Sequence, residues 1–422
     1  MLVADALRGV LPGERSGRRR LLDGLLVVFA IGLACSITLS ETTLLVMALV
    51  LLARARPRAS WLRAPLASPV LAFAAWTLVT TATAIRPGDS LRAAAEKLLL
   101  LGTFWVVLAA LPDTASARRF ATALFVAVSV VAFLSIVQVA GCVEGGFEDT
   151  PQIPLLTTYF KKCVRAHGFF SIYMTLAGVL TVVMTLTLPR LQGFRRGLLA
   201  AFAWLAGAVA LALTEVRGAW VGFGVGGAVT VLLGRRARLA LLLVALPLAA
   251  LAFPHVQERL RSMLDPTDLT ARERVVMLHV GLRLVREHPV AGIGPGQVKH
   301  VYPTYAPPEA LRRHTGHLHD TPLQIAVERG LVGLALWLWI FVAFFVRAAR
   351  VLPRVPAQAA ADRTLVVGAL AAVTAFLVAG LFEYNFGDTE VLLVAVALMA
   401  LPFVVQRDFG ADAEGAHIRS GE

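Results

Sequence analysis

HTGHLHDTPLQIAVERGLVG, residues 314–333, places His314, His317 and His319 just ahead of a long apolar run. An imidazole titrates near neutral pH. The stretch therefore sets a group able to take or give a proton where a polar loop enters an apolar helix. Asp320 and Thr321 are both N-cap residue types, and Pro322 suits a first helical turn, so His319 is expected just outside the helix start. The run continues to about residue 346, long enough to cross a bilayer.

The rest of the chain repeats that pattern. Of its 422 residues 58% are hydrophobic and 16% charged, and the mean hydropathy is +0.73. A soluble chain carries about 25% charged residues. Apolar runs predict twelve spans, at about 21–39, 41–55, 67–85, 97–112, 119–141, 166–189, 197–213, 218–234, 238–254, 320–346, 363–382 and 388–406. The fold class is an all-α polytopic membrane protein, a single membrane domain over 1–422 with one large outer loop at 255–319.

The net charge of +13 is read as topology rather than nucleic-acid binding. With the N-terminus inside, RSGRRR (15–20), RARPR (54–58), Arg118-Arg119 and RRAR (235–238) all fall on short inner segments, while the short outer turns at 40–41 and 383–388 lack Lys and Arg. That is the positive-inside pattern, and it places both termini in the cytoplasm. The apolar stretch after RSGRRR lacks a small-residue cleavage site and is expected to stay as the first span.

Three outer segments exceed what a connection needs. CVEGGFEDTPQIPLLTTYFKKCVR (142–165) is bracketed by Cys142 and Cys163, a possible disulfide, and ends on Lys161, Lys162 and Arg165. TEVRGA (214–219) is a minimal turn holding Arg217 beside Glu215. The 255–319 loop contains an amphipathic helix, 271–287. On its wheel Val275, Leu278, Leu282 and Val285 share one arc, opposite Arg272, His279, Arg283 and Arg286. Arg274 falls on the apolar side. It reads either as a structural ion pair, with Glu273 or Asp268, or as an anion site. The three histidines fit no zinc signature, and no cysteine or acidic cluster completes them. No metal and no cofactor is expected; a structural role for individual histidines stays open.

His319-Asp320, nine further residues and Gly330-Leu-Val-Gly333 resemble the signature of bacterial O-antigen ligases: a histidine, a small polar residue, nine residues, then Gly-x-x-Gly. RAHGFF (165–170), VRGAW (216–220), RERVVML with HPVAGIGPG (272–296) and EYNFGDTE (383–390) resemble further blocks of the O-antigen ligase and polymerase superfamily in the same order. The position after the histidine, usually Asn, Ser or Gln in ligases, is Asp320 here. The resemblance implies a GT-C-like membrane glycosyltransferase with its large loop in the periplasm of a Gram-negative inner membrane. It implies a donor, polysaccharide on undecaprenyl pyrophosphate, and an acceptor, a sugar hydroxyl of lipid A–core, with inversion and without metal. His319 would be the base. Arg217 and Arg274 would stabilise the departing pyrophosphate, and Arg165, Lys161, His317 and Asp320 would bind substrate. An O-antigen polymerase or a protein O-oligosaccharyltransferase is the alternative. A transporter or flippase is disfavoured because charge within the spans is nearly absent.

Overall fold

A computed structural model describes residues 12–53, 64–142, 163–193, 197–234, 257–258, 261, 268–308 and 310–409. The span expected at 238–254 and Lys161 lie outside them. The described residues form helices α1 (Pro12–Cys35), α2 (Ile37–Leu52), α3 (Ala67–Ala82), α4 (Pro87–Leu101), α5 (Thr103–Ala110), α6 (Thr114–Ala140), α7 (Tyr173–Thr187), α8 (Leu198–Leu213), α9 (Arg217–Gly234), α10 (Leu269–Glu287), α11 (Val298–Tyr305), α12 (Thr321–Ala349), α13 (Ala360–Ala379) and α14 (Thr389–Met399). Among them there is no strand.

Seven helices are long and apolar enough to cross a membrane: Pro87–Ala110, Thr114–Ala140, Tyr173–Leu191, Arg217–Gly234, Thr321–Arg354, Ala360–Ala379 and Thr389–Phe409. Ile37–Leu52, Ala67–Ala82 and Leu198–Leu213 are shorter apolar helices. This is a multi-pass membrane protein. α6 shows the surface such a protein needs: Val126, Val130, Phe133 and Val137 are exposed along one stripe while Phe120, Leu124, Val128 and Val131 are buried on another. A helix apolar on both faces belongs in lipid. One boundary differs from expectation. The first two helices part at Ser36, whose side chain accepts the Leu39 N–H at 3.3 Å as an N-cap, so the turn expected at 40–41 lies inside α2.

The three most buried helices, α14, α7 and α13, form the centre. α9 approaches α13 closely because Gly222 and Gly226 present no side chain. A Cβ at either would press on the Ala375 or Ala371 carbonyl oxygen. Small residues allow such backbone approach where lipid gives no hydrophobic drive for helices to associate.

α12 is broken. Gly330 has φ 68° and ψ −178°, a left-handed region that glycine enters without a Cβ penalty. The break frees backbone groups that the loop 288–296 satisfies. Ile293 N–H donates to Val327 O and Gly294 N–H to Glu328 O, both at 2.9 Å, while Leu331 N–H donates to Pro289 O at 2.7 Å. Gly292, also left-handed at φ 66°, lets this loop lie against the Val327 and Glu328 backbone. Gly333 leaves room for Trp76, whose Nε1–H donates to Arg329 O at 2.8 Å. The Gly-x-x-G spacing is thus a break plus a seat for a neighbouring indole.

Two expectations are corrected here. Charge is present inside a span: Glu328 and Arg329, 3% and 1% exposed, lie in α12 as an ion pair at 2.7 Å. The α10 wheel is also turned. Its buried face is Glu273, Met277, Val280, Gly281 and Leu284, and Val275, Leu278 and Leu282 are exposed. The reason is that α10 packs through Gly281, which sits directly on Leu318 and Leu323.

Candidate functional site

His319 is held in an unusual backbone geometry. Its φ is 51°, a left-handed conformation costing a non-glycine residue about 1–2 kcal/mol. Its C-terminal neighbours pin it: Asp320 caps α12 by accepting Leu323 N–H at 2.8 Å, Thr321 N–H donates to Gly380 O at 2.7 Å, and Thr321 Oγ1–H donates to Glu383 O at 2.9 Å. The imidazole is pinned too. His319 Nδ1 lies 2.8 Å from Glu383 Oε2, with the two side chains 11% and 9% exposed. A carboxylate can only accept, so Nδ1 is the donor; in the neutral imidazole that leaves the Nε2 lone pair available.

Glu383 is shared. Its other oxygen, Oε1, pairs with Arg274 Nη2, so Arg274 has an ion-pair partner in Glu383. Glu273 is instead buried and accepts Leu311 N–H at 3.1 Å and Arg312 N–H at 3.3 Å, fixing that loop onto α10. Asp268 caps α10 through Ala271 N–H at 2.8 Å and pairs with Arg217 at 3.2 Å. Arg217 opens α9, where the positive end of the helix dipole disfavours a cation, so the Asp268 carboxylate offsets that position. Glu215 pairs with Arg165 at 3.0 Å, and the Arg165 guanidinium stacks over the Tyr173 ring at 4.7 Å.

These pairs surround one cavity of about 540 Å³, lined by Arg165, Arg217, Arg274, Arg312, Glu215, Glu273, Glu383, His319 and Tyr173, with apolar walls from Met174, Val221, Met277 and Phe382. Arg165, Arg217, Arg274 and His319, read from four separate segments, are together. The first turns of α9 and α10 also line it, and helix N-termini favour anions. Two of its lining residues, Glu215 (φ 55°) and His319, adopt left-handed backbone without being glycine. Such geometry persists only where surroundings hold it, and it clusters at functional sites.

His317 and Asp320 do not line the cavity. The His317 ring packs against His319 at 4.4 Å and Tyr384 at 5.8 Å. Burial, then the nearby His319 and Arg312, lower its pKa to about 4 against the pull of Glu383, so it stays neutral. Burial pushes the Asp320 carboxyl up, opposed by the Leu323 N–H it accepts. His314 is exposed in the loop. Cys142 and Cys163 are disulfide-bonded, with Cα atoms 5.4 Å apart. Among the described residues no three His, Cys, Asp or Glu side chains group as metal ligands.

The sequence reading missed Glu383 and Arg312. Glu383 opens the EYNFGDTE block, directly after the apolar span ends. An acidic residue placed there within a recognised block was the available signal.

Residues 200–338 match the family model of the O-antigen ligases. That segment runs from α8 through the break in α12 and includes Arg217, Arg274 and His319; Arg165 and Glu383 lie outside it. No curated protein matches the chain. That stretch of the chain is thus similar to the O-antigen ligases.

Proposed function

We propose that this protein ligates O-antigen polysaccharide from undecaprenyl pyrophosphate onto a sugar hydroxyl of lipid A–core. The observation that carries the reading is the convergence of His319 with Arg165, Arg217 and Arg274 on one cavity. The acceptor oxygen attacks the anomeric carbon and the bond to pyrophosphate breaks, with inversion. His319 Nε2 takes the hydroxyl proton as the oxygen attacks. A positioned base of this kind contributes about 10²–10⁴ in rate. Arg217 and Arg274, with Arg165 as a third, stabilise the charge developing on the leaving pyrophosphate, and each such donor is worth about 10²–10³. No cofactor takes part. Arg165, Arg217 and Arg274 are each paired with a carboxylate, and pyrophosphate would compete for those same donors. Glu383 is a positioning residue: one carboxylate orients both the base and an anion-binding arginine.

The fold we assign is GT-C-like, with twelve spans, both termini cytoplasmic and the active site at the periplasmic face of a Gram-negative inner membrane. The Cys142–Cys163 disulfide beside Arg165 supports that placement, since disulfides persist in oxidising compartments.

An O-antigen polymerase or protein O-oligosaccharyltransferase would share the arginines and the base. The departure at Asp320 has a structural account. Its side chain caps α12, and Asn, Ser and Asp all cap well, so the residue type there reports on the helix start. The broken, charged helix that transporters use does occur in α12, but Glu328 and Arg329 are buried, paired and apart from the cavity. They form no part of a pathway along it.

His319→Ala and Arg217→Ala, assayed with a lipid-linked polysaccharide and lipid A–core, should abolish transfer while inserting and accumulating normally. Full activity in either variant would remove the role assigned to it. A chelator should leave the parent protein active, and loss of activity restored by zinc would contradict a metal-independent reaction.

A further inference from the structure

A polar chain runs beneath the cavity through the body of α12, and the reaction scheme above does not use it. At its far end Arg329 Nε–H donates to Thr77 Oγ1 at 3.2 Å, and the guanidinium lies over the Phe73 ring at 5.5 Å. Arg329 Nη1 pairs with Glu328 Oε2 at 2.7 Å. Glu328 Oε1 accepts Gln324 Nε2–H at 2.8 Å and Gly296 N–H at 2.9 Å. Gln324 Oε1 accepts Leu318 N–H at 2.9 Å. Gln324, Glu328 and Arg329 are all essentially inaccessible.

The chain ends on the residue before His319. His319 has left-handed backbone, which must be held from both sides. Asp320, Thr321, Gly380 and Glu383 hold the C-terminal side. On the N-terminal side Leu318 N–H has Gln324 as its partner. The same carboxylate that orients Gln324 binds Gly296, in the loop that fills the break at Gly330. A buried ion pair is an expensive way to stabilise a helix. This one fixes three things at once: the broken helix, the loop lying in it, and the amide that sets where the imidazole sits.

We infer that Gln324, backed by Glu328 and Arg329, is a positioning residue that holds His319 in its working geometry. The inference rests on His319 being the base. Near-attack geometry is unforgiving: a misplacement of about 1 Å can cost about 10²-fold. Gln324 does not line the cavity, and its side chain bonds to the Leu318 amide and to Glu328, so its loss should act on turnover and spare substrate binding.

The test is Gln324→Met, which keeps the side-chain length and removes both hydrogen bonds, in purified full-length protein given undecaprenyl-pyrophosphate-linked polysaccharide and lipid A–core. We expect kcat to fall about 10–100-fold with both KM values within about twofold of the parent. An unchanged kcat, or a raised KM at unchanged kcat, overturns the inference. Thr77→Val serves as the milder variant if Gln324→Met does not yield folded protein. It removes only the Arg329 acceptor and should lower kcat a few-fold at unchanged KM; unchanged kcat there overturns the inference as well. His319→Ala is run in parallel. If it remains active, the assignment of the base fails. If it is dead while Gln324→Met is fully active, the positioning role alone fails.

Discussion

Glu383→Gln is the substitution whose effect can be worked most closely from the geometry. The carboxylate accepts from His319 Nδ1–H at 2.8 Å through one oxygen and pairs with Arg274 through the other. Its side chain is 9% exposed, so solvent screens these interactions little. Glutamine fills the same volume, and its carbonyl can still accept from His319. Its NH₂ then faces the Arg274 guanidinium, so a donor meets a donor and a charge-assisted bond of about 1.5–3 kcal/mol is lost. The bond to His319 turns from charge-assisted to neutral, at about 1 kcal/mol. At about 1.4 kcal/mol per decade the two together set a ceiling of about 10²–10³ on the loss in rate, since an Arg274 released from Glu383 is open to pyrophosphate. The assay is transfer to lipid A–core by the purified variant, with folding checked by its melting transition. A kcat within about threefold of the parent would refute the shared-carboxylate account, because neither His319 nor Arg274 would then depend on Glu383.

Other outcomes follow from the same contacts. Arg217→Lys keeps the charge but loses the planar fork suited to phosphate, so it should retain partial activity where Arg217→Ala abolishes transfer; equal loss in both would show that the fork geometry, not charge, is all that matters. His317 has a folded pKa of about 4, below its unfolded value of about 6.5. The unfolded chain therefore binds the proton more readily. Stability should be intact above about pH 6.5 and decline as pH falls from there toward about 4, and melting scans of His317→Gln should show a shallower decline. Gly330→Ala forces a Cβ into left-handed backbone and against the Val290 carbonyl oxygen, and should sharply lower the yield of folded protein; normal yield and melting would mean that α12 is not broken there. Opening the Cys142–Cys163 bridge, across 21 positions of sequence, should cost about 3 kcal/mol by loop entropy, read as a lower melting temperature in Cys142→Ser/Cys163→Ser.

Helix positions and the site cations were legible because each has a local signature. Long apolar runs mark spans, and an arginine stands out where an apolar segment meets a short turn. His319 was separated from His314 and His317 by cap chemistry and by the spacing to Gly330 and Gly333. What stayed hidden are pairings between segments distant in sequence. Glu215 pairs with Arg165, and Arg274 with Glu383. Hydrophobic periodicity carries no information about such partners. The α10 wheel misled for a related reason. α10 carries a second apolar arc, Met277, Val280 and Leu284, and that arc packs with Leu318 and Leu323 while Val275, Leu278 and Leu282 stay exposed; periodicity alone does not choose between two apolar arcs. Glu328 and Arg329 were passed over because two adjacent opposite charges barely lower the hydropathy of a long window.

The central claim is that four outer segments build a ligase site around His319. It is tested most directly by supplying purified protein with undecaprenyl-pyrophosphate-linked polysaccharide and lipid A–core and identifying the product. The account predicts lipid A–core capped with polysaccharide, formed by the parent protein and absent with His319→Ala. Lengthened lipid-linked glycan, glycosylated protein in place of capped core, or capping that persists without His319 would contradict it.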